Sequence, residues 1–245
     1  FARALQQGAD AAVCTHVSNV YGNVLPVSAV AALCRERGVP LVIDASQSAG
    51  TLPVRLHGTG AAFIAMPGHK GLYGPQGTGL LLCGAAGEPL LQGGTGSNSL
   101  DQSMPDFLPD RHEAGTHNVC GIGGLLAGLR FVREQRPEEL LAVERALTAL
   151  AARGLRQLPG VEVFTGPGQS GVLSFRCRDL DCEEAAARLA EAGIAVRAGL
   201  HCAPMAHRSG GTLETGTVRV SFSAFNTSAE VRQFLQVCRT AFLPG

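Results

Sequence analysis

Two residues in the first half of the sequence stand where α/β proteins place chemically active groups. Lys70 lies beside His69 in the glycine-bracketed turn PGHKG, directly after the apolar run AAFIA, and Asp44 ends the apolar run PLVID. Ligands bind at the carboxyl ends of strands in open α/β sheets, so both residues are candidates for a site. Taken alone, Asp44 could equally cap the turn that follows it, and a single lysine is more often a solvated surface residue.

Taken together, Lys70 and Asp44 meet the requirements of a pyridoxal phosphate site. In such a site a lysine amine binds the aldehyde of the cofactor, and an acid keeps the ring nitrogen protonated. A phosphate-binding loop is the weaker interpretation of the same glycines. The sequence contains no GK[ST], which a Walker loop needs, and no GxGxxG follows a predicted strand.

Cys202 is a further candidate, in the segment RAGLHCAPMAHRSGG. This segment is not typical of a core strand, because it contains glycines and a proline together with Arg197, His201, His207 and Arg208. Positive charge near a thiol favours the reactive thiolate. Cys202 is therefore a candidate nucleophile, although a buried packing role is the more common fate of a cysteine.

The composition limits the classes of protein to consider. Of the 245 residues, 45% are hydrophobic and 16% are charged, which is typical of a globular chain, and the formal net charge is zero. No basic cluster predicts nucleic acid or a membrane surface as a partner, and no apolar run reaches the ~20 residues of a membrane span. The eight cysteines form no CxxC pair, so no zinc site of the finger type is expected. A chain of this size needs no disulfides, which favours a reducing, cytoplasmic compartment.

The order of apolar runs and helical spacings predicts an α/β sheet in the first half of the chain. A helix is expected over 26–37, with Pro26 in its first turn and Gly38 after its end. Alternation of strand and helix is typical of a largely parallel sheet. The predicted strands cover residues 11–15, 40–45, 61–65 and 79–83.

The pattern changes after an aperiodic segment, 87–120, whose length is typical of a functional loop. Helices are predicted over 121–135, 138–157, 182–192 and 228–242, the last beginning at the capping box TSAE. Strands are predicted over 161–165, 171–176, 194–198 and 217–222. We therefore expect a large cofactor-binding domain over 1–135 and a smaller C-terminal domain over 136–245.

Six stretches together resemble the class V aminotransferase family of pyridoxal phosphate enzymes, and within it the cysteine desulfurase and selenocysteine lyase branch. They are THVSNVYG, VIDASQSAG, GHKGLYGPQGTG, EAGTHN, VRAGLHCAP and TVRVSFSAFNT. They occur in family order and spacing along essentially the whole chain. The resemblance implies the fold-type I architecture, with a mostly parallel large-domain sheet and a smaller α+β domain. It lacks the front third of the usual protein, so we expect the chain to be a fragment with an incomplete large domain.

The resemblance assigns cofactor-binding roles residue by residue. Lys70 would hold the pyridoxal phosphate covalently, and Asp44 would pair with its pyridine nitrogen. Gln47 and Asn19 would bind around the phenolic oxygen of the cofactor. His69 would be a ligand of the cofactor phosphate.

The resemblance also implies roles beyond that set. Thr116 matches the threonine that reaches the cofactor phosphate of the neighbouring subunit, which implies a homodimer. Arg219 would clamp the substrate carboxylate beside Asn19, since the planar guanidinium donates two parallel hydrogen bonds. Cys202 occupies the position of the sulfur-accepting nucleophile. Pro67 departs from the serine or threonine of many relatives, so the phosphate loses one donor on that side.

The function predicted from the sequence is that of a pyridoxal phosphate-dependent cysteine desulfurase, which converts L-cysteine to L-alanine and leaves the sulfur on Cys202 as a persulfide. Two alternatives remain open at this point. One is a class V aminotransferase or lyase acting on another amino acid, which needs no reactive thiol. The other is a truncated, non-catalytic copy that binds a partner such as a sulfur-acceptor protein.

Overall fold

Two compact units make up the chain, for which a computed structural model describes residues 1–94, 97 and 100–242. The N-terminal unit consists of Phe1–Cys14, Val27–Gly50 and Val54–Glu134. The C-terminal unit consists of Thr15–Pro26, Thr51–Pro53 and the chain from Gln135 onward. The domain boundary near residue 136 stays a prediction.

The N-terminal unit is built on a four-stranded sheet in the order β1-β2-β3-β4. Strands β2 and β3 run parallel with Asp44 opposite Ala65, whereas β4 pairs with β3 in the antiparallel direction. The predicted α/β class is confirmed, and the sheet is mixed. Its elements are α1 Ala2–Gln6, β1 Ala12–Thr15, α2 Val27–Glu36, β2 Leu41–Asp44, α3 Leu56–Thr59, β3 Phe63–Pro67, β4 Gly79–Cys83, a 3-10 helix Asp110–His112 and α4 Val119–Gln135.

Helix α2 shows how the sequence pattern becomes packing. Its buried residues are Val27, Val30, Ala31 and Cys34, whose spacing of three, four and seven residues places them on one face of the helix. In the sheet, every second residue of β2 and β3 is buried, as the two-residue period of a strand requires. The intervening positions, Asp44 among them, lie on the half-buried face.

The long segment predicted over 87–120 contains little regular structure. The 3-10 helix Asp110–His112 interrupts it, and α4 begins at Val119. Residues 95, 96, 98 and 99 of this segment lie outside the described residues.

The C-terminal unit is built on a second sheet, in the order β5-β6-β7, with both pairs antiparallel. Helices pack on this sheet around a core that includes Leu155, Leu173, Phe175 and Leu189. The elements are α5 Pro137–Leu155, β5 Val161–Phe164, β6 Val172–Cys177, α6 Cys182–Glu191, α7 Pro204–Gly210, β7 Val218–Ser221 and α8 Ser228–Phe242.

The strand predicted over 194–198 is wrong. This segment makes a single bridge, in which Arg197 and Arg219 exchange backbone hydrogen bonds of 3.1 and 2.7 Å. Gly193 and Gly199 have φ angles of +76° and +92°, so the backbone leaves the extended conformation on both sides of the bridge. A short helix, α7, follows where no helix was predicted.

The predicted capping box is confirmed at the start of α8. The Thr227 amide donates to Glu230 Oε2 over 2.6 Å, and the Glu230 amide donates to Thr227 Oγ1 over 3.3 Å. Of the helices in the described ranges, none is long and apolar enough to cross a membrane.

Candidate active site

The N-terminal unit places Asp44 and Lys70 at the same edge of its sheet. Asp44 is the last residue of β2, and the turn with His69 and Lys70 begins directly after β3 ends at Pro67. Because β2 and β3 are parallel neighbours, their carboxyl ends meet at one edge. The juxtaposition on which the cofactor hypothesis depends is therefore present in the fold.

The two turns that follow these strands touch through their backbones. A Cβ atom added to Gly50 would lie 1.9 Å from the carbonyl oxygen of Gly71, and one added to Gly71 would lie 2.4 Å from the carbonyl oxygen of Ala49. Glycine at both positions permits this approach, and Gly50 also has a φ of +95°. The contact fixes the Lys70 turn against the turn that carries Gln47.

Asp44 fills the capping role that the sequence left open, and it keeps a second role available. Its Oδ1 accepts a hydrogen bond from the Ser46 amide at 2.9 Å, and the residue is half-buried. That bond uses one of the two carboxylate oxygens. Capping the turn and pairing with a ring nitrogen are thus compatible.

The remaining predicted cofactor ligands of this unit differ in exposure. His69 and Lys70 are exposed, Gln47 is half-buried, and Thr116 is exposed three residues before α4. Among the residues that the structure describes, the Lys70 ammonium has no ion-pair partner. An accessible amine, a strand-end carboxylate and an imidazole are the donor set that an aldehyde, a pyridine nitrogen and a phosphate require, so the residues present fit pyridoxal phosphate.

In the C-terminal unit, the segment that carries Asn19 is bound to β6. Ser174 Oγ donates to the Val20 carbonyl at 2.5 Å, and Gln169 Nε2 donates to the Tyr21 carbonyl at 2.7 Å. Gly22 completes the attachment, because any Cβ there would lie 2.2 Å from the Val172 carbonyl oxygen. Asn19 is therefore held on a sheet whose next strand, β7, carries Arg219.

Arg219 is joined to Asn19 and keeps one donor unused. Its Nη1 donates to the Asn19 carbonyl at 2.9 Å, whereas its Nε is buried and has no hydrogen-bond partner among the described residues. Burial lowers the pKa of Arg219, and the charge of Arg197 acts in the same direction. A half-buried cation with a buried, unpartnered N–H favours an anionic ligand such as a carboxylate.

Cys202 is an exposed thiol in an unusual backbone conformation. Its φ is +58°, in the left-handed region that residues other than glycine rarely adopt. Arg197 Nη2 lies 3.7 Å from its Sγ, so a guanidinium faces the sulfur. The position combines access with positive charge, as a nucleophilic cysteine requires. All eight cysteines are free thiols, and of these Cys120 and Cys202 are exposed.

The two histidines of the Cys202 segment do not supply the positive charge that the sequence suggested. His201 and His207 have exposed fractions of 4% and 0%, and their rings pack at a tilt of 38° with centroids 5.6 Å apart. Burial lowers the pKa of His201 to about 4, and it also lowers the pKa of His207. Both are neutral at pH 7, so the positive charge near the thiol comes from Arg197, which contacts it, and from Arg219, which also acts on it electrostatically.

A hydrogen bond that sequence reasoning missed connects Asn19 to the Cys202 turn. Asn19 Nδ2 donates to the His201 carbonyl at 2.8 Å across a separation of 182 residues. No local pattern reports such a contact. In the C-terminal unit the structure thus brings together Asn19, Cys202 and Arg219, and in the N-terminal unit it brings together Asp44, Gln47, His69 and Lys70 around the carboxyl ends of β2 and β3.

The chain belongs to the class V aminotransferase family, whose model matches residues 1–234. Relatives with curated descriptions narrow the similarity. The chain is 35% identical over 229 residues to a probable cysteine desulfurase of Xylella fastidiosa, covering 90% of this chain and 54% of the relative. It is 38% identical over 232 residues to one of Mycolicibacterium paratuberculosis, covering 92% of this chain and 33% of the relative. The chain thus spans about half or less of these two relatives.

Solved structures give the same picture of the fold. The apo structure of the cysteine desulfurase from Thermococcus onnurineus matches with a TM-score of 0.90 and 34% identity, over 98% of this chain and 62% of that chain. The S-sulfonic acid form of the Escherichia coli cysteine desulfurase CsdA matches with a TM-score of 0.87 and 28% identity, over 98% and 62%. The fold-type I class predicted from the sequence is confirmed.

Proposed function

We propose that this protein takes part in the desulfuration of L-cysteine, as a pyridoxal phosphate-dependent enzyme. The observation that carries the proposal is Cys202, an exposed thiol facing Arg197 in the unit that also holds Arg219. An aminotransferase needs the lysine, the acid and the arginine, but it needs no thiol. The similarity to cysteine desulfurases supports the same choice.

Pyridoxal phosphate would be held chiefly by residues of the N-terminal unit. Lys70 would bind its aldehyde, Asp44 its ring nitrogen, and His69 its phosphate, with Gln47 at the phenolic oxygen. The family resemblance also assigns Asn19 to the phenolic oxygen. When bound, this cofactor supplies an electron sink that stabilises negative charge on the α-carbon of an amino acid.

The chain's own residues would then handle the substrate. Arg219 would bind the carboxylate of L-cysteine through its unused Nε–H and an Nη, and so orient the amino acid. The Lys70 amine would take the α-proton as general base and later return it. Arg197 would place a positive charge beside the attacking sulfur of Cys202.

Sulfur transfer would be a displacement at the substrate sulfur. Cys202 Sγ forms an S–S bond with the sulfur of L-cysteine as the C–S bond of the substrate breaks. The electron pair of the C–S bond stays on carbon, which takes up a proton to give L-alanine. Cys202 is left as a persulfide, and a thiol of an acceptor protein or of a small molecule would remove the outer sulfur.

Further parts of the proposal concern assembly and location. Thr116 would reach the cofactor phosphate of a second copy, which makes the protein a homodimer with shared sites. A reducing, cytoplasmic setting suits the eight free thiols. The acceptor would dock near Cys202, the exposed thiol of the C-terminal unit.

Replacing Cys202 with serine tests the proposed function. The Cys202→Ser variant should lose sulfide release from L-cysteine by about 100-fold or more, because the hydroxyl is a far weaker nucleophile than a thiolate. Its visible cofactor absorbance should remain, since Lys70 is unchanged. Cys120→Ser, at the other exposed cysteine, is the matched control and should behave as the parent.

Three results would contradict the proposal. Desulfuration that is unchanged in Cys202→Ser would remove the role of the thiol. Transfer of the amino group to a keto acid, without sulfide release, would favour an aminotransferase. Protein that stays colourless with added pyridoxal phosphate would favour a non-catalytic copy.

A further inference from the structure

The turn that presents Cys202 contains two consecutive residues in the left-handed region. His201 has a φ of +50° and Cys202 a φ of +58°, and neither is a glycine. Such conformations are unfavourable for residues with a Cβ and persist only where surrounding contacts impose them. The contacts that impose this turn therefore decide where the thiol points.

The His201 ring supplies the buried contact on one side of the turn. Its Nε2 lies 3.0 Å from Thr217 Oγ1 and 3.2 Å from the Thr217 carbonyl oxygen, and both residues are buried. Its Nδ1 is buried and has no hydrogen-bond partner among the described residues. A proton on Nε2 satisfies these contacts, whereas a proton on Nδ1 would be stranded, so the ring is the neutral Nε2–H tautomer.

The backbone of His201 supplies the second contact. Its carbonyl accepts the hydrogen bond from Asn19 Nδ2 at 2.8 Å, and the Asn19 carbonyl accepts from Arg219 Nη1 at 2.9 Å. Thr217, which holds the ring, lies two residues before Arg219 in the chain. His201 is thus the residue through which the Cys202 turn is tied to the position of the proposed carboxylate clamp.

We propose that His201 is a positioning residue for the nucleophile: its ring, bound to Thr217, and its carbonyl, bound to Asn19, hold Cys202 in the left-handed turn beside Arg197. The proposal rests on the proposed function only for its kinetic consequence, since the placement of the thiol is a property of the protein without substrate. A buried histidine that serves only to fill the core would leave the reactivity of Cys202 unchanged.

The test compares three variants by the rate at which iodoacetamide alkylates Cys202, measured by mass spectrometry of the Cys202 peptide. His201→Phe keeps a buried ring and cannot donate to Thr217. Thr217→Val removes the hydroxyl acceptor and keeps the shape of the side chain. Thr148→Val is the control, because it removes a buried threonine hydroxyl of the same unit, one bound to the carbonyls of Glu144 and Ser170.

We expect alkylation at pH 7 to slow about threefold or more in His201→Phe and to slow to a smaller extent in Thr217→Val. When the turn relaxes, Sγ leaves its fixed, exposed position beside the Arg197 guanidinium, so fewer molecules present the sulfur to the reagent. Thr148→Val should match the parent, and Cys120 serves as the internal reference in every sample.

A parent-like rate of Cys202 alkylation in His201→Phe would overturn the proposal. Circular dichroism shows whether each variant folds, and if His201→Phe does not, a parent-like rate of Cys202 alkylation in Thr217→Val overturns the proposal instead. With L-cysteine as substrate, His201→Phe should lower kcat and leave KM nearly unchanged. If the parent protein shows no desulfuration of L-cysteine, the proposed function is contradicted. The alkylation rates still decide whether His201 positions Cys202.

Discussion

The surroundings of Arg219 indicate which kind of ligand this position binds. Its guanidinium is half-buried, its pKa is lowered by burial, and the charge of Arg197 adds to that cost. One of its N–H groups has no partner among the described residues. An anion that accepts hydrogen bonds from two nitrogens of the guanidinium would offset the cost of the buried charge and satisfy the unpartnered N–H. A substrate carboxylate therefore suits this position.

Arg219→Lys should separate charge from shape at this position. Lysine keeps the positive charge but presents no planar fork, so the KM for L-cysteine should rise about 10- to 100-fold while kcat changes much less. Steady-state kinetics with L-cysteine measure both quantities. Arg208→Lys, at an exposed arginine of α7, is the control and should change neither. Equal KM values for Arg219→Lys and the parent would contradict the role of a carboxylate clamp.

At the scale of elements, the candidate site depends on turns more than on strands. Strands β2 and β3 bring their carboxyl ends together, but the backbone contact between Gly50 and Gly71 fixes the turn that contains Lys70. A glycine pair of this kind tolerates no side chain. The two turns should therefore behave as one structural part.

Gly50→Ala should damage this contact, and the chain offers a matched control in Gly8→Ala. The two glycines have φ angles of +95° and +93°, but a Cβ on Gly8 meets nothing within 4 Å, whereas one on Gly50 meets the Gly71 backbone at 1.9 Å. Gly8→Ala should lower the free energy of unfolding by about 1 kcal/mol from the φ strain alone. Gly50→Ala should lower it by about 2–4 kcal/mol and also weaken pyridoxal phosphate binding. Chemical denaturation and titration with the cofactor measure these effects, and equal losses in the two variants would show that the contact is unimportant.

The sequence predicted most elements because their patterns are local. The apolar face of α2 follows from the helical period of its side chains, and β4 follows from a short continuous apolar run. Helix α7 and the buried His201 and His207 were not predicted, because polar residues between glycines carry no helical or core signal. The segment that carries Asn19 is held by Ser174 and Gln169, about 150 residues away in the chain. No local sequence pattern predicts contacts over that separation.

The candidate site residues came from motif resemblance more than from physical pattern. From the residues alone, Asp44 and Lys70 suggested a cofactor site, and Cys202 remained one of eight cysteines in an unusual segment. The positive charge near Cys202 was expected, but it comes from Arg197 and Arg219 and not from the histidines. Burial decides which of these groups is charged, and the sequence of a glycine-rich segment does not predict which of its residues are buried.

At the scale of the whole molecule, two buried groups give opposite responses to pH. Burial lowers the pKa of His201 to about 4, so its neutral form belongs to the folded state; that stability is full above the unfolded pKa and declines as pH falls from about 6.5 to 4. Burial raises the pKa of Glu144 to about 7, so its protonated form belongs to the folded state. That stability is full below about pH 4.5 and is lost as pH rises through 7. The protein should be most stable near neutral or mildly acidic pH.

Glu144→Gln isolates the alkaline side of this response. Glutamine resembles the protonated carboxyl, and the Glu144 side chain is 8% exposed, packed where Gly171 leaves room for its Oε2. At pH 8 the variant should be more stable than the parent, by up to about 3 kcal/mol, and at pH 4.5 the two should be nearly equal. Urea unfolding at both pH values measures the difference. A constant difference across this range would show that Glu144 does not titrate with folding.

The distribution of the thiols sets how the protein must be handled at the bench. Six of the eight cysteines are shielded at least in part, so air oxidation during storage should reach Cys120 and Cys202 first. Molecules cross-linked through Cys120 should remain competent, whereas those cross-linked through Cys202 should be silent until a reductant such as dithiothreitol is added. A preparation that lacks activity and shows a dimer band on a non-reducing gel should be assayed again after reduction before it is discarded.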